Sequence, residues 1–133
     1  MEVAVSIKRF REPIAEVNVR FGFTLSERIM HIRNAARDGL ADLNAPISES
    51  TPFLTLNAIE AACLSGARFA RAELDLSGVS VRLLSWSITG IIENAEPFAH
   101  AIHWGISKAY GRPDGLLHEE STEWRISSFT SEG

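Results

Sequence analysis

The sequence has almost no cysteine: Cys63 is the only one in 133 residues. A single thiol excludes an internal disulfide and any metal site built from several cysteines, so a reducing, cytoplasmic location is expected. Long apolar runs are also missing, because the uncharged stretch 83–92 is far shorter than a membrane span. The first residues, MEVAVSIKRF, match neither a signal peptide nor a transit peptide. The sequence therefore predicts a cytoplasmic protein with no membrane partner.

Basic residues are outnumbered by acidic ones, which gives a formal net charge of −4. Such a surface disfavours nonspecific binding to nucleic acid. The charge is uneven: residues 1–46 hold seven Lys/Arg and six Asp/Glu (+1), whereas residues 47–133 hold six and eleven (−5). We expect no nucleic-acid partner, and the acidic second half favours a basic protein as partner.

Catalytic and cofactor motifs are absent from the sequence as well. There is no GxSxG nucleophile turn, no glycine-rich phosphate loop and no HExxH zinc helix. Cys63 lies among Ala61, Ala62 and Leu64, which predicts a small core residue and not a nucleophile. The sequence thus predicts no cofactor and no resident metal.

The composition itself is that of an ordinary globular protein, with 45% apolar and 23% charged residues. A chain of this length predicts one domain, 1–133, with its own core. Segments 3–7 and 17–23 alternate apolar and polar residues, the period of half-buried strands, and the break at 11–13 predicts a hairpin between them.

Spacings of three and four residues predict a first helix over 24–43. Thr24 and Glu27 resemble a capping box, and the apolar stripe consists of Leu25, Ile29, Ile32, Ala36, Leu40 and Leu43. A second helix is expected from Pro52 to about residue 65, capped by Thr51 and ended by Gly66. The segment 53–56 is also compatible with the start of a strand.

Alternation over 70–76, followed by the turn residues Ser77 and Gly78, predicts a second hairpin. Its second strand carries apolar residues at both parities, which is typical of a strand covered on both faces. Either a helix of the same chain or a second subunit would cover Trp86. We therefore name Leu84, Trp86 and Ile88 as a candidate subunit interface, which leaves a homo-oligomer open.

A third helix is expected from an Asn94 cap to Gly111, and a last strand over 123–129 has Trp124, Ile126 and Ser128 on one side. The predicted fold is α+β, with an antiparallel sheet of about five strands in the order ββα-α-ββα-β and helices packed on the sheet.

The third helix carries the most unusual polar residues of the chain. At 100° per residue, His100 and His103 fall with Glu96 opposite the apolar stripe, so the imidazoles are expected to project outward. Trp104 and Tyr110 are expected on the two flanks. Exposed aromatic and imidazole groups are enriched where proteins dock.

The leading hypothesis is a non-catalytic protein-binding module, such as an adaptor, a chaperone or an immunity-type inhibitor. Its predicted partner-binding residues are those of the third helix: Glu96, His100, His103, Trp104 and Tyr110. The alternative is a small oligomeric enzyme with a site at a subunit boundary around His100, His103 and His118. A solvated helix face without function is the plainest interpretation of the same residues.

Overall fold

A computed structural model gives the fold of the protein and describes residues 1–25, 27–37, 42–111 and 123–133. Within these ranges the chain forms strands, two α-helices and one short 3-10 helix, Ala35–Arg37. In chain order the main elements are β1 Glu2–Arg9, β2 Ala15–Leu25, β3 Met30–Asn34, β4 Pro46–Ser48, β5 Thr51–Thr55, α1 Leu56–Leu74, β6 Val79–Gly90, α2 Glu96–Ala109 and β7 Trp124–Glu132.

Five of the strands form one sheet in the order β3-β6-β2-β1-β7, while β4 and β5 pair with each other. All neighbours in the larger sheet are antiparallel except β3 and β6. Both α-helices pack on the sheet, so the predicted α+β class with a mainly antiparallel sheet of five strands is confirmed. The predicted element order ββα-α-ββα-β differs from the observed one, in which three strands precede β4, β5 and the first α-helix. No helix in the described ranges is long and apolar enough to cross a membrane.

The sheet has one apolar face and one polar face. Every second residue of β1 and β2 is buried beneath the helices, as the period-two pattern predicts, and these residues include Val3, Val5, Ile7, Val17, Val19 and Phe21. The residues between them point to the other side, which we call the outer face. Burial of the apolar face against α1 and α2 supplies most of the core.

The predicted hairpin of β1 and β2 is confirmed, and a buried arginine stabilises the end that carries its loop. Arg9 is 2% exposed. Its guanidinium donates to the Pro13 carbonyl oxygen at 2.6 Å, to the Ile91 carbonyl oxygen at 2.8 Å and to Glu93 Oε2 at 2.6 Å. It also lies over the ring of Trp124, 5.2 Å from the centroid. These bonds join the hairpin to the residues after β6, and hydrogen bonding by Arg9 lowers the pKa of Glu93.

The first predicted helix, 24–43, is wrong. Thr24 and Leu25 end strand β2, Arg28 has a left-handed backbone with φ of 59°, and β3 follows. Strand formation prevails because β3 hydrogen-bonds along β6 from Met30 to Asn34 and so satisfies backbone groups that an open sheet edge would leave unpaired. Of the later residues of the predicted stripe, Ala36 lies in the 3-10 helix, and Leu40 lies outside the described residues.

The second helix begins later and ends later than predicted. Thr51 lies in strand β5, and Thr55 is the actual cap, since its Oγ1 accepts from the Ala58 amide at 3.0 Å. The predicted terminator Gly66 lies inside α1, and the left-handed residue that ends the helix is Asp75, with φ of 53°. The hairpin predicted over 70–76 is therefore wrong, because that segment forms the last turns of α1.

A β-bulge explains the apolar residues at both parities of β6. The register shifts between Arg20 and Phe21 of β2, which pair with Ser85 and Leu83. One residue, Leu84, is left over, so Leu83 before the bulge and Trp86 after it face the same side of the sheet. The expectation of two covered faces is corrected in this way.

Trp86 is covered by a helix of its own chain. It is half-buried, and its ring meets Phe98 of α2 edge-on, with centroids 5.7 Å apart. Ile88 packs against the same core and Leu84 is half-buried. A subunit contact through Leu84, Trp86 and Ile88 stays a prediction.

The ends of α2 agree with the sequence to within about one residue, since the cap position is Ala95 and not Asn94, whereas β7 differs in detail. Asn94 Oδ1 accepts from the Glu96 amide at 2.8 Å, and Gly111 follows the helix with φ of 80°. In β7 a register shift opposite Ser6 and Ile7 of β1 changes the parity of the strand. Phe129 therefore joins Trp124 and Ile126 against the core, and Ser128, predicted on their side, is exposed on the outer face.

At Gly66 we expect alanine to destabilise the protein, which is the opposite of what helix propensity alone predicts. Alanine is favoured over glycine inside a helix by about 1 kcal/mol. A Cβ at Gly66, however, would lie 3.0 Å from the carbonyl carbon of Ala99 in α2, and closer still to its oxygen. We expect Gly66→Ala to lower the free energy of unfolding by about 1–3 kcal/mol, measured by urea denaturation.

Gly22 provides the matched control for this substitution. A Cβ at Gly22 meets only the Met1 carbonyl oxygen at 3.7 Å, which is an ordinary contact. Gly22→Ala should therefore leave the stability unchanged or raise it. A Gly66→Ala variant as stable as the wild type would contradict the close approach of α1 and α2.

Candidate functional site

The predicted residues Glu96, His100 and His103 line a groove between the two α-helices, which we call the inter-helix groove. Its volume is about 410 Å³. Its described lining residues are Ala62, Ser65 and Phe69 from α1 and Glu96, Ala99, His100 and His103 from α2. The floor consists of small side chains because α1 and α2 approach closely at Gly66 and Ala99.

His103 is held by two residues of α1. Its Nε2 lies 2.7 Å from Glu73 Oε2, and its ring stacks on Phe69, with centroids 5.8 Å apart. The side chain of His103 is 12% exposed, whereas Phe69 is 60% exposed. The pair of His103 and Glu73 therefore joins the helices, and Phe69 presents an apolar surface to solvent above it.

His100 is held by residues of its own helix. Its Nε2 lies 3.1 Å from Glu96 Oε1, one turn earlier, and its ring stacks on Trp104 at 4.4 Å and 11°. The side chain of His100 is 16% exposed. The expectation that both imidazoles project outward is therefore corrected: they lie along the groove, because α2 packs against the sheet and α1 at the same time.

The two other predicted residues lie away from the groove. Trp104, expected on an exposed flank, is 1% exposed and belongs to the core. Tyr110 is 45% exposed at the C-terminal end of α2, where its ring lies 6.2 Å from that of Phe23. The structure thus brings Glu96, His100 and His103 together, buries Trp104 and places Tyr110 about two helical turns further along.

Histidine and carboxylate groups do not gather into a metal-binding set in the part of the chain that the structure describes. His118, named for the alternative site, lies outside that part. Cys63 is fully buried, as expected for a core residue. Burial, with a smaller contribution from the charge of Glu60, raises the pKa of its thiol to about 12. A thiol that stays protonated is a poor nucleophile.

Two residues of the groove were missed by the sequence analysis, namely Phe69 and Glu73. Glu73 was hidden by the period-two interpretation of 70–76, and Phe69 fell between that segment and the predicted end of the helix at Gly66. A helical interpretation would have found them, because Ala62, Gly66, Phe69 and Glu73 recur at spacings of four, three and four residues and so share one face of α1. That face is the one that meets α2.

The chemistry of the groove is that of an apolar contact surface with negative charge at its rim. Glu96 is 54% exposed at one end, and Glu73 is 25% exposed beside His103. None of the described lining residues is Lys or Arg. Both imidazoles already contact a carboxylate, which orients each ring. The groove therefore suits a ligand that combines an apolar group with a positive charge.

Comparison with known proteins adds no family to this description. No family model matches the chain, and no curated protein matches it significantly.

The difference between Trp104 and Phe69 can be tested by their alanine variants. Trp104→Ala removes a buried ring and is expected to cost about 3–5 kcal/mol of unfolding free energy. Phe69→Ala removes an exposed ring from a helix and should change it by less than about 1 kcal/mol. Urea denaturation measures both values. A Trp104→Ala variant of wild-type stability would place this ring on the surface after all.

Proposed function

We propose that the protein is a non-catalytic protein-binding module, in the class of adaptors, chaperones and immunity-type inhibitors, and that it binds its partner in the inter-helix groove. The observation that carries this proposal is Phe69, a large aromatic side chain that is 60% exposed above a groove of small residues. Exposed aromatic side chains beside a pocket are typical anchors of protein interfaces.

The charges at the groove favour a basic segment in the partner. Glu96 lines the groove, Glu73 contacts the lining residue His103, and Lys and Arg are absent from the described lining. A lysine or arginine next to an apolar residue would satisfy both features, the apolar side chain against Phe69 and the cation beside Glu96. Complementary charges would also raise the rate of association.

The proposed role differs from the sequence-based hypothesis in the residues that make the contact. Glu96, His100 and His103 remain in the proposed surface, with the imidazoles forming its wall. Phe69 takes the place of Trp104 as the aromatic anchor, since Trp104 is buried. Tyr110 would take part only in a partner large enough to reach the end of α2.

A capture experiment tests this proposal with a matched pair of exposed phenylalanines. Phe53 is 81% exposed in β5, outside the groove, so Phe53→Ala is the control for Phe69→Ala. Proteins retained from host lysate by immobilised wild type are identified by quantitative mass spectrometry, and each candidate is then purified. We expect Phe69→Ala to weaken its affinity about 30-fold or more, as at interface hot spots, and Phe53→Ala to leave it unchanged.

The charge of the partner is tested with the same purified protein. Glu96→Gln should weaken binding several-fold, and the wild-type affinity should fall as salt rises, because the contact is partly electrostatic. Calorimetry measures both effects. A partner that binds Phe69→Ala as tightly as the wild type, or that is lost with Phe53→Ala instead, would contradict the proposed surface.

One observation favours the alternative of a small oligomeric enzyme. The 2.7 Å contact of His103 Nε2 with Glu73 Oε2 resembles a general base oriented by a carboxylate, in a groove that a second subunit could close. That enzyme would use His100, His103 and His118 at the subunit boundary. Light scattering distinguishes the two proposals in part, since a particle of one chain at all concentrations would exclude a site that needs two.

A further inference from the structure

The outer face of the sheet, on the side opposite the helices, contains a depression of about 720 Å³. It lies where strands β3, β6 and β2 run side by side. Its polar lining includes Thr24, His31, Arg33, Ser80 and Arg82, with Gly22 between the side chains. The depression and the inter-helix groove use different faces of the molecule, so the two can be tested independently.

Two arginines stand next to each other in this depression. Arg33 of β3 and Arg82 of β6 are register partners in the parallel pair, which places their Cα atoms about 4.8 Å apart. Both are exposed. Like charges at directly neighbouring positions destabilise a sheet. In the free protein the two arginines therefore repel each other, which lowers the stability of the sheet. An anion bound between the two guanidinium groups would remove this repulsion.

Neither arginine is neutralised by the residues that the structure describes. Arg9, Arg11 and Arg20 each pair with a carboxylate, from Glu93, Glu123 and Glu2 respectively. Arg33 and Arg82 have no such ion pair within the described ranges.

The carboxylates that line the far side of the depression do not reach the two arginines. Glu2 is already bound by Arg20 at 2.9 Å. Glu132 lies in β7, three strands away from β6 in the sheet order, which is about 14 Å at the usual strand spacing. Within the described ranges neither Glu2 nor Glu132 forms an ion pair with Arg33 or Arg82.

We propose that Arg33 and Arg82 form a binding site for the phosphoryl group of a small molecule. Two guanidinium groups present parallel N–H donors that fit the oxygens of a tetrahedral dianion. Thr24 and His31 lie two residues along their strands from this row, on the same face of the sheet, and each is a register partner of Ser80. Their hydroxyl and imidazole groups supply further donors at the same wall.

Gly22 gives the ligand its space. Gly22 lies in β2 and is the register partner of Arg82. Any larger residue at this position would project a side chain into the depression beside the two arginines. The protein itself does not require a glycine there, because an added Cβ meets only the Met1 carbonyl oxygen at 3.7 Å. The missing side chain therefore leaves an open floor beside the two guanidinium groups.

A small ligand fits these features better than a nucleic acid. Polynucleotide binding needs a track of several cations that neutralise successive phosphates. The described depression offers two unpaired arginines on a chain of net charge −4. One phosphoryl group matches this charge, and the cavity volume lies within the range of about 300–1,000 Å³ typical of small-molecule sites.

The test measures binding of inorganic phosphate and pyrophosphate by calorimetry and by thermal shift, at an ionic strength held constant with sodium chloride. We expect both anions to bind and to raise the melting temperature of the wild type, since a ligand that binds only the folded state stabilises it. Arg82→Gln and Arg33→Gln should each weaken binding by at least about tenfold, the usual effect of losing a charged hydrogen-bond donor.

Three further variants separate a shaped site from general attraction to positive charge. Arg68→Gln removes an exposed arginine from α1, and should leave binding unchanged. Arg82→Lys keeps the charge but loses the planar pair of donors, so it should still weaken binding. Gly22→Val keeps both arginines and fills the floor, so it should abolish binding while the fold is retained.

The free variants also check that the fold survives. Without ligand, Arg82→Gln should be as stable as the wild type or slightly more stable, because it removes the repulsion between neighbouring arginines. Absence of phosphate and pyrophosphate binding to the wild type would overturn the proposal. Equal binding by Arg82→Gln or Gly22→Val would do the same, as would binding of an RNA oligonucleotide in the absence of any binding of the two small anions.

Discussion

The close approach of the two helices at Gly66 and Ala99 is the constraint on which the rest of the molecule depends. Because no side chain separates the backbones there, α2 can lie against α1 and against the apolar face of the sheet at once. This position buries Trp104 and covers Trp86 through Phe98. It also aligns Glu73 with His103 and leaves Phe69 exposed above a groove of small residues.

The elements that the sequence predicts well are those whose local pattern and tertiary environment agree. Strands β1 and β2 alternate cleanly, and α2 has Asn94 before it and Gly111 after it, so both were located from the sequence. The helix predicted over 24–43 is wrong because its three-and-four spacing describes a helix, whereas residues 30–34 pair with the edge of β6 as a strand. The edge is formed by β6, which is distant in the sequence, so no pattern within 24–43 reveals it.

The sequence predicts the part of the candidate site that lies on α2 but not the part that lies on α1. Glu96, His100 and His103 were found because unusual polar residues cluster in one short segment of α2. Glu73 was not, because an alternating segment such as 70–76 can be a strand or a helix until its partner is known. Phe69 was not, because the helix was expected to end at Gly66 and in fact continues to Leu74. The outward direction predicted for the histidines is wrong because a helical wheel shows only which residues share a face of the helix. It does not show that α2 is covered by α1 on one side and by the sheet on another.

The two candidate sites of the protein differ in the charges of their lining residues. Carboxylates border the inter-helix groove, while paired arginines without carboxylate partners in the described ranges lie on the outer face of the sheet. Glu2 and Glu132 also line the depression, so the difference is one of local charge and not of whole faces. The net charge of −4 conceals this division, because it sums both faces.

The most direct test of this account is a nuclear Overhauser measurement on the labelled protein. If α1 and α2 meet as described, the α protons of Gly66 should show strong cross-peaks to Ala99, and the ring protons of Phe69 should show cross-peaks to those of His103. Absence of both sets of cross-peaks in a folded sample would separate the helices, and the groove between them would not exist.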